Sequence, residues 1–222
     1  MPTFQIPRFG EVHIPGGITD LAAFRRWVHS RPLPGKLAAH FLRGEVWVDF
    51  HMEVAFTHNF VKMAVYTTLG PICEADGLFF VDGMLMTNDA AGLGTEPDGM
   101  FVSNASIGAK RVEFVSGEDD SEATELVGTP DLVIEIVSPS SEDKDTEWLM
   151  SAYHNAGIPE YWLIDAREED DLQLDIFKHA AKGYTAARKS GAWVKSVVLG
   201  KSFRLTRTVG PHGYPRFRLE VR

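Results

Sequence analysis

The stretch GTPDLVIEIVSPSSEDKD, residues 128–145, decides the fold. Its segment DLVIEIV places apolar side chains at odd and even positions alike, which predicts a central strand covered on both faces. The residues that follow have apolar side chains at helical spacing up to Gly157, and PEYWLIDA at 159–166 returns to a strand pattern. Residues 130–165 are therefore predicted to form a strand, a helix and a second strand within one α/β domain that has a mixed sheet.

The rest of the chain is predicted from its turn signals. Residues 1–18 are rich in proline and glycine, which predicts an irregular N-terminal arm in front of a single domain at 19–222. Two hairpins are expected, one in LAAHFLRGEVWVDF at 37–50 and one around Asp82-Gly83 in GLFFVDGMLMTN at 77–88.

Glu135 lies in the middle of the central strand, where an ionised carboxylate is costly unless it has a partner. Asp131 shares its strand face, but four residues of strand separate the two acids by about 13 Å. The partner should therefore come from a neighbouring strand, and Asp98 in EPDGMFV at 96–102 is the natural candidate. Two adjacent carboxylates need a shared proton, a basic side chain or a divalent cation.

The residue types around these acids bear on which cation would bind. The ligands would be oxygen atoms, with no nearby cysteine or paired histidine, which points to Mg²⁺ or Mn²⁺ rather than zinc. Such an ion activates water and stabilises a phosphoryl oxyanion, and this is the chemistry of nucleases.

Composition limits the class of protein. The 222 residues carry a formal net charge of -9, which argues against a protein that coats nucleic acid by bulk electrostatics. The charge is uneven, however, because the chain from residue 176 onward has 11 Lys and Arg but only one acid, Glu220. The C-terminal strands are therefore the expected phosphate-facing surface of a DNA-binding protein. The single cysteine, Cys73, excludes an internal disulfide. No apolar run approaches the ~20 residues of a membrane span, and the start lacks a secretory signal, so we expect a cytoplasmic protein that does not bind membranes.

Several short motifs together carry a resemblance to a known family. They are GEVWV at 44–48, THNFVKMAV at 57–65, EPD at 96–98, PDLVIEIVSPSS at 130–141 and YHNAGIPEYWLID at 153–165. With them the chain, from about Thr19 to Arg207, resembles the Uma-two family of restriction endonucleases in the PD-(D/E)XK nuclease superfamily. The resemblance implies a PD-(D/E)XK restriction-endonuclease-like fold, with a central mixed sheet flanked by helices, and a Mg²⁺-dependent or Mn²⁺-dependent endonuclease that cleaves DNA.

The resemblance also implies roles for individual residues. Asp98 would be the aspartate of the PD element and Glu135 the acid of the (D/E)XK element, and both would bind the metal. Glu45 would be an auxiliary catalytic acid near the metal. His58 matches a helix histidine of the family, whose role stays open.

The basic residue of the superfamily is displaced in this sequence. It should lie two residues after Glu135, where this chain has Val137, and the position on the next helix that carries it in the family is Leu149. Lys144 is the only lysine between residues 112 and 177 and begins that helix. We hypothesise that Lys144 reaches back to the metal and orients the attacking water.

Two further acids are auxiliary candidates, each with a simpler interpretation. Asp131 is typical of a turn residue at the head of a strand, and Asp145 is typical of an acid in the first turn of a helix. The displaced lysine keeps an alternative function open, namely a nuclease-fold module with weak or absent cleavage that binds nucleic acid or a protein partner. A homodimer is also left open.

Overall fold

The computed structural model describes residues 3–6, 10–30, 37–50, 55–116, 122–138 and 144–222. The α-helices in these ranges are α1 (Leu21–Ser30), α2 (Phe60–Glu74), α3 (Asn104–Gly108) and α4 (Met150–Asn155). Single π-helical segments, Ala55–Asn59 and Lys144–Leu149, lead into α2 and α4. The strands are β1 (Thr3–Ile6), β2 (Gly10–His13), β3 (Leu37–Leu42), β4 (Glu45–Phe50), β5 (Gly77–Val81), β6 (Leu85–Asn88), β7 (Leu93–Thr95), β8 (Gly99–Ser103), β9 (Val112–Ser116), β10 (Ala123–Gly128), β11 (Leu132–Ile136), β12 (Glu160–Asp165), β13 (Gln173–Ala180), β14 (Gly183–Ala186), β15 (Lys189–Ser190), β16 (Trp193–Lys195), β17 (Ser202–Val209) and β18 (Pro215–Val221).

The prediction of an irregular N-terminal arm is wrong where the structure describes it. β1 and β2 form an antiparallel pair, with Thr3 opposite His13 and Ile6 opposite Gly10. The segments TFQI and GEVH alternate polar and apolar residues, a pattern of period two that favours strands. The surrounding prolines and glycines obscured this short signal. That residues 19–222 form a single domain stays a prediction.

A six-stranded sheet with the order β14-β13-β12-β11-β8-β5 contains the stretch that decides the fold. β11 lies between β12, which is parallel to it, and β8, which is antiparallel. The helical residues 144–155 connect the parallel pair, so the predicted strand, helix and strand unit is confirmed. All five residues of β11 are buried, as expected for a strand covered on both faces.

The two faces of this sheet pack against different elements. Ile134 and Ile136 belong to a core that includes Val65 of α2. Val133, next to Ile134 in sequence, belongs to a second core that includes Tyr153 of α4. The side chains of β11 therefore alternate between α2 on one side and α4 on the other. Among the described residues, no helix is long and apolar enough to cross a membrane.

One of the two predicted hairpins is confirmed and the other is wrong. β3 and β4 pair in antiparallel fashion as expected. β5 and β6 flank Asp82-Gly83 but enter different sheets, since β5 pairs with β8, whereas β6 pairs with β7 and β10. Gly83 has a φ of 84°, so it does make a turn. Turn residues specify a local reversal of the chain but not the strand with which the next segment pairs.

A buried carboxylate attaches α1 to the second six-stranded sheet, whose order is β4-β3-β7-β6-β10-β9. Glu125 on β10 is fully buried, and its oxygens lie 2.6 Å from Arg25 Nε and 2.8 Å from His29 Nε2. Thr87 on β6 donates a further hydrogen bond to it. Burial raises the pKa of Glu125, but the hydrogen bonds from Arg25, Thr87 and His29 outweigh burial and lower the pKa below its ordinary value of 4.5.

This carboxylate should make the free energy of unfolding depend on pH. An acid whose pKa is lower in the folded chain stabilises the fold above its unfolded pKa, and this contribution is lost as the pH falls through the folded pKa. Glu125→Gln has no such contribution to lose, so its stability should fall less than that of the wild type between about pH 5 and pH 3. Urea unfolding at stepped pH measures both curves. Parallel curves would contradict the assignment to Glu125.

Candidate active site

Asp98 lies immediately before β8, at the end of the strand that pairs with β11. Gly99 is opposite Ile134 in that pairing, so Asp98 comes next to Glu135, and its Oδ2 accepts a hydrogen bond of 2.7 Å from the backbone N–H of Ile136. The side chain is buried, and the residue is only 7% exposed. The predicted pairing of the strand that follows Asp98 with the strand of Glu135 is therefore confirmed.

The π-helical segment Ala55–Asn59 and the start of α2 present polar side chains to Asp98. Nε2 of His58 is 3.4 Å from Asp98 Oδ2, and Nζ of Lys62 is 2.9 Å from Asp98 Oδ1. The hydroxyl of Tyr66 donates a hydrogen bond of 2.5 Å to the backbone carbonyl of Asp98. Lys62 and Tyr66 are four residues apart in α2, so they share one face of the helix, and His58 precedes Lys62 by four residues in the π-helical segment. Lys62 also contacts Oδ2 of Asp82, at 2.7 Å, in the turn after β5.

These contacts keep Asp98 ionised. Burial alone would raise the pKa of its carboxyl, but the hydrogen bond from His58, the charge of Lys62 and the hydrogen bond from Ile136 lower the pKa from 3.8 to about 2. The carboxylate is therefore negative at neutral pH and can bind a cation.

Glu135 is 4% exposed and is held by a tyrosine on α4. The hydroxyl of Tyr153 donates a hydrogen bond of 2.5 Å to Oε1 of Glu135. Burial and the neighbouring Glu135 charge raise the pKa of Tyr153 well above its ordinary value, so the phenol stays protonated and remains a donor. Burial also raises the pKa of Tyr161 on β12, with further contributions from the charges of Glu135 and Asp145.

The structure brings together some of the predicted site residues. Asp98 and His58 are in contact, and Glu135 lies on β11, which pairs with the strand that follows Asp98. Asp145 is 1% exposed, and its backbone carbonyl accepts a hydrogen bond of 2.9 Å from the hydroxyl of Tyr161. Lys144 begins the π-helical segment, but its side chain lies outside the described residues. Its role in orienting water stays a prediction.

Two predicted residues do not join this cluster. Asp131 is at the other end of β11, where Arg111 and Ser106 donate to its Oδ1 at 2.9 and 2.8 Å and the Ser103 N–H donates to its Oδ2 at 2.7 Å. It is thus a structural residue at the head of the strand. Glu45 is exposed at the start of β4, and none of the described contacts connects it with Asp98 or Glu135.

The sequence and the fold are similar to those of known proteins. Residues 22–207 match the model of the Uma2 (Uma-two) family, which is described as putative restriction endonuclease. The chain belongs to the Uma2 family. A crystal structure of a putative nuclease belonging to DUF820 from Anabaena variabilis ATCC 29413 has the same fold, with a TM-score of 0.60 and 17% sequence identity over 82% of this chain and 90% of that chain. No curated protein matches the sequence.

These matches confirm the restriction-endonuclease-like fold predicted from the sequence, and Uma2 membership supports a nuclease function. The two positions where a basic residue was expected, 137 from the superfamily and 149 from the Uma2 family, hold apolar core residues. Val137 is 3% exposed, its N–H donates to the Ile164 carbonyl at 2.8 Å, and Leu149 is fully buried.

Lys62 is the residue of this Uma2 site that sequence reasoning missed. A signal was present, because His58, Lys62 and Tyr66 repeat every four residues within a helix whose remaining inward positions, Val61 and Val65 among them, are apolar. A polar side chain at every fourth position of an otherwise apolar face indicates a buried polar partner.

The chemistry of the site fits a magnesium ion. Asp98 and Glu135 are buried acids, and carboxylate oxygens are the ligands that a hard cation such as Mg²⁺ takes. Among the residues that the structure describes, no group of three or more His, Cys, Asp and Glu side chains is arranged to hold a metal. Asp98 and Glu135 would hold a Mg²⁺ ion as its two carboxylates, with waters and substrate phosphates supplying the other oxygens.

Proposed function

We propose that this Uma2 protein is a Mg²⁺-dependent endonuclease that hydrolyses phosphodiester bonds in DNA. The observation that carries the proposal is the position of Asp98 just before β8, the strand that pairs with β11 and its Glu135, with both acids buried and Asp98 bonded to the Ile136 N–H next to Glu135. Lys62 compensates for part of this buried negative charge, and a divalent cation would compensate for the rest. We assign both carboxylates as metal ligands.

The bound ion would activate water and stabilise the negative charge on the phosphoryl oxygens. In the reaction one water is consumed, because an O–P bond forms, the P–O bond to the leaving sugar oxygen breaks, and the water loses one proton while the leaving oxygen gains one. Tyr153 holds Glu135 in position through its hydroxyl. His58 and the Ile136 N–H fix the Oδ2 atom of Asp98 from two sides.

The C-terminal strands support DNA as the substrate. Tyr214, just before β18, stacks on Phe56 at the start of the π-helical segment before α2, with ring centroids 4.6 Å apart, which places this end of β18 close to His58. Both rings are exposed, and aromatic faces of this kind can stack with nucleobases. Arg216 and Arg218 on β18 are exposed as well and can contact phosphates.

Metal binding and cleavage test the proposal directly. Calorimetry with Mn²⁺ should show binding by the wild-type protein, and supercoiled plasmid should be nicked in Mg²⁺ or Mn²⁺ and left intact in excess EDTA. A protein that binds no Mn²⁺, or that nicks plasmid equally in EDTA, would remove the metal-dependent nuclease from consideration.

Charge reversal on β18 should weaken DNA binding. Arg216→Glu and Arg218→Glu each remove one positive charge from the phosphate-facing surface, so the slope of log K against log salt should become shallower by about 0.9 for each phosphate that is no longer neutralised. Fluorescence anisotropy with labelled duplex DNA across a salt series measures this slope. Arg26→Glu, at an exposed arginine of α1 outside the basic C-terminal strands, is the control. An unchanged slope in both arginine variants would refute this placement of the DNA.

A second function is favoured by the apolar side chains at Val137 and Leu149. The chain would then be a nuclease-fold module that binds nucleic acid or a protein partner and cleaves weakly or not at all. Wild-type protein that binds DNA with a steep salt dependence but leaves plasmid intact in Mg²⁺ and Mn²⁺ would favour this function over the nuclease.

A further inference from the structure

We infer that Lys62 on α2 supplies the ammonium group that PD-(D/E)XK nucleases carry two residues after the second acid, and that it orients the attacking water. The inference rests on the proposed nuclease function, and it replaces Lys144 in this role. Lys62 would donate from Nζ to the water oxygen while it stays beside the carboxylate of Asp98.

The position of Lys62 carries the inference. The residue is 3% exposed although it bears a positive charge, and its Nζ is 2.9 Å from Asp98 Oδ1 and 2.7 Å from Asp82 Oδ2. A buried ammonium is retained only where carboxylates or polar groups compensate for the missing solvation. One of the two compensating acids is the proposed metal ligand itself, so Lys62 is within a few ångströms of the place where water and phosphate would react.

The packing also explains why the ammonium comes from α2. Leu149 packs in the core with Tyr153 and Tyr161, on the face of the sheet where Tyr153 bonds Glu135, so an apolar side chain stands where the family has its basic residue. α2 packs on the opposite face of the same sheet and reaches Asp98 from there. The basic residue has therefore moved from the α4 side of the site to the α2 side.

A purely structural role for Lys62 makes different predictions. In that case its ammonium would only neutralise Asp98 and attach α2 to the turn at Asp82. Loss of Lys62 would then lower stability and disturb metal binding, and Asp82→Asn, which breaks the same bridge at its more exposed end, would have a similar effect on cleavage. A positioning role predicts instead that kcat falls while the substrate and the metal still bind.

The test uses Lys62→Met, with Lys62→Gln as a second variant that keeps a hydrogen-bond donor in case the first fails to fold. The matched controls are Lys110→Met, at an exposed lysine outside the basic C-terminal strands, and Asp82→Asn. Plasmid nicking gives kcat and KM, calorimetry gives the Mn²⁺ affinity, and anisotropy in Ca²⁺ gives the affinity for DNA. Thermal unfolding confirms that each variant is folded.

We expect the Lys62 variants to show a kcat about 10²-fold lower, with KM and DNA affinity nearly unchanged. Mn²⁺ should bind about tenfold more tightly, because a competing positive charge beside Asp98 is removed. Full activity in both Lys62 variants, weaker Mn²⁺ binding, or an equal loss of kcat in Asp82→Asn would overturn the inference. Inactive wild-type protein would overturn the proposed function, and the inference with it. Active wild-type protein together with fully active Lys62 variants would overturn the inference alone.

Discussion

Asp98→Asn and Glu135→Gln should each lower metal-dependent cleavage of DNA by about 10³-fold. Each change keeps the size of the side chain but removes a negative charge from the proposed metal site. Mn²⁺ affinity should fall by at least about tenfold in the same variants. Plasmid nicking at saturating Mn²⁺ and calorimetry on the same preparations measure the two effects. They should change together, since one missing ligand causes both.

Asp131→Asn is the matched control for these two variants. Asp131 directly precedes the same strand and is also buried, but its partners are Arg111, Ser106 and the Ser103 N–H at the other end of β11. The variant should be less stable while its Mn²⁺ affinity and its cleavage per folded molecule stay the same. If Asp131→Asn abolished Mn²⁺ binding, or if Asp98→Asn and Glu135→Gln bound Mn²⁺ like the wild type, the metal centre would have been placed wrongly.

The centre of this site could be predicted from the sequence because the positions of Glu135 and Asp98 follow from their immediate sequence neighbours. Val133, Ile134 and Ile136 surround Glu135 with apolar side chains on both faces, so the strand had to be central and its acid had to have a partner. Asp98 follows a proline and precedes an apolar strand, which marks it as an acid entering the core. The antiparallel pairing of β8 with β11 then brings the two together.

The residues that sequence reasoning missed or misplaced depend on contacts between distant segments. Lys62 lies within the motif THNFVKMAV at 57–65. Its contact with Asp98, 36 residues later in the chain, forms only when α2 packs on the sheet. The turn at Asp82-Gly83 was assigned to a hairpin because its local chemistry is the same whether the next strand pairs beside it or in another sheet. Glu45 was placed by resemblance alone, and the hairpin of β3 and β4 leaves it exposed.

The motif PEYWLID at 159–165 illustrates how a family pattern can reflect structure as well as catalysis. Glu160 in this motif is 1% exposed and lies at the start of β12, beside the start of β11 and away from Asp98. Its Oε1 accepts hydrogen bonds from Trp162 Nε1 at 2.7 Å and Ser196 Oγ at 2.6 Å, and its Oε2 accepts from the Val197 N–H at 2.7 Å. It therefore attaches the segment after β16 to the central sheet.

Glu160→Ala should lower the free energy of unfolding by about 3–5 kcal/mol, because several buried donors are deprived of their carboxylate acceptor at once. Urea unfolding followed by tryptophan fluorescence measures the change, since Trp162 lies at the site of the substitution. Glu160→Gln keeps one acceptor oxygen and should reduce stability by less than half as much. The folded fraction of Glu160→Ala should still bind Mn²⁺, because Asp98 and Glu135 are untouched. A loss of stability equal in both variants would mean that the charge of Glu160, rather than its hydrogen bonds, holds the C-terminal strands in place.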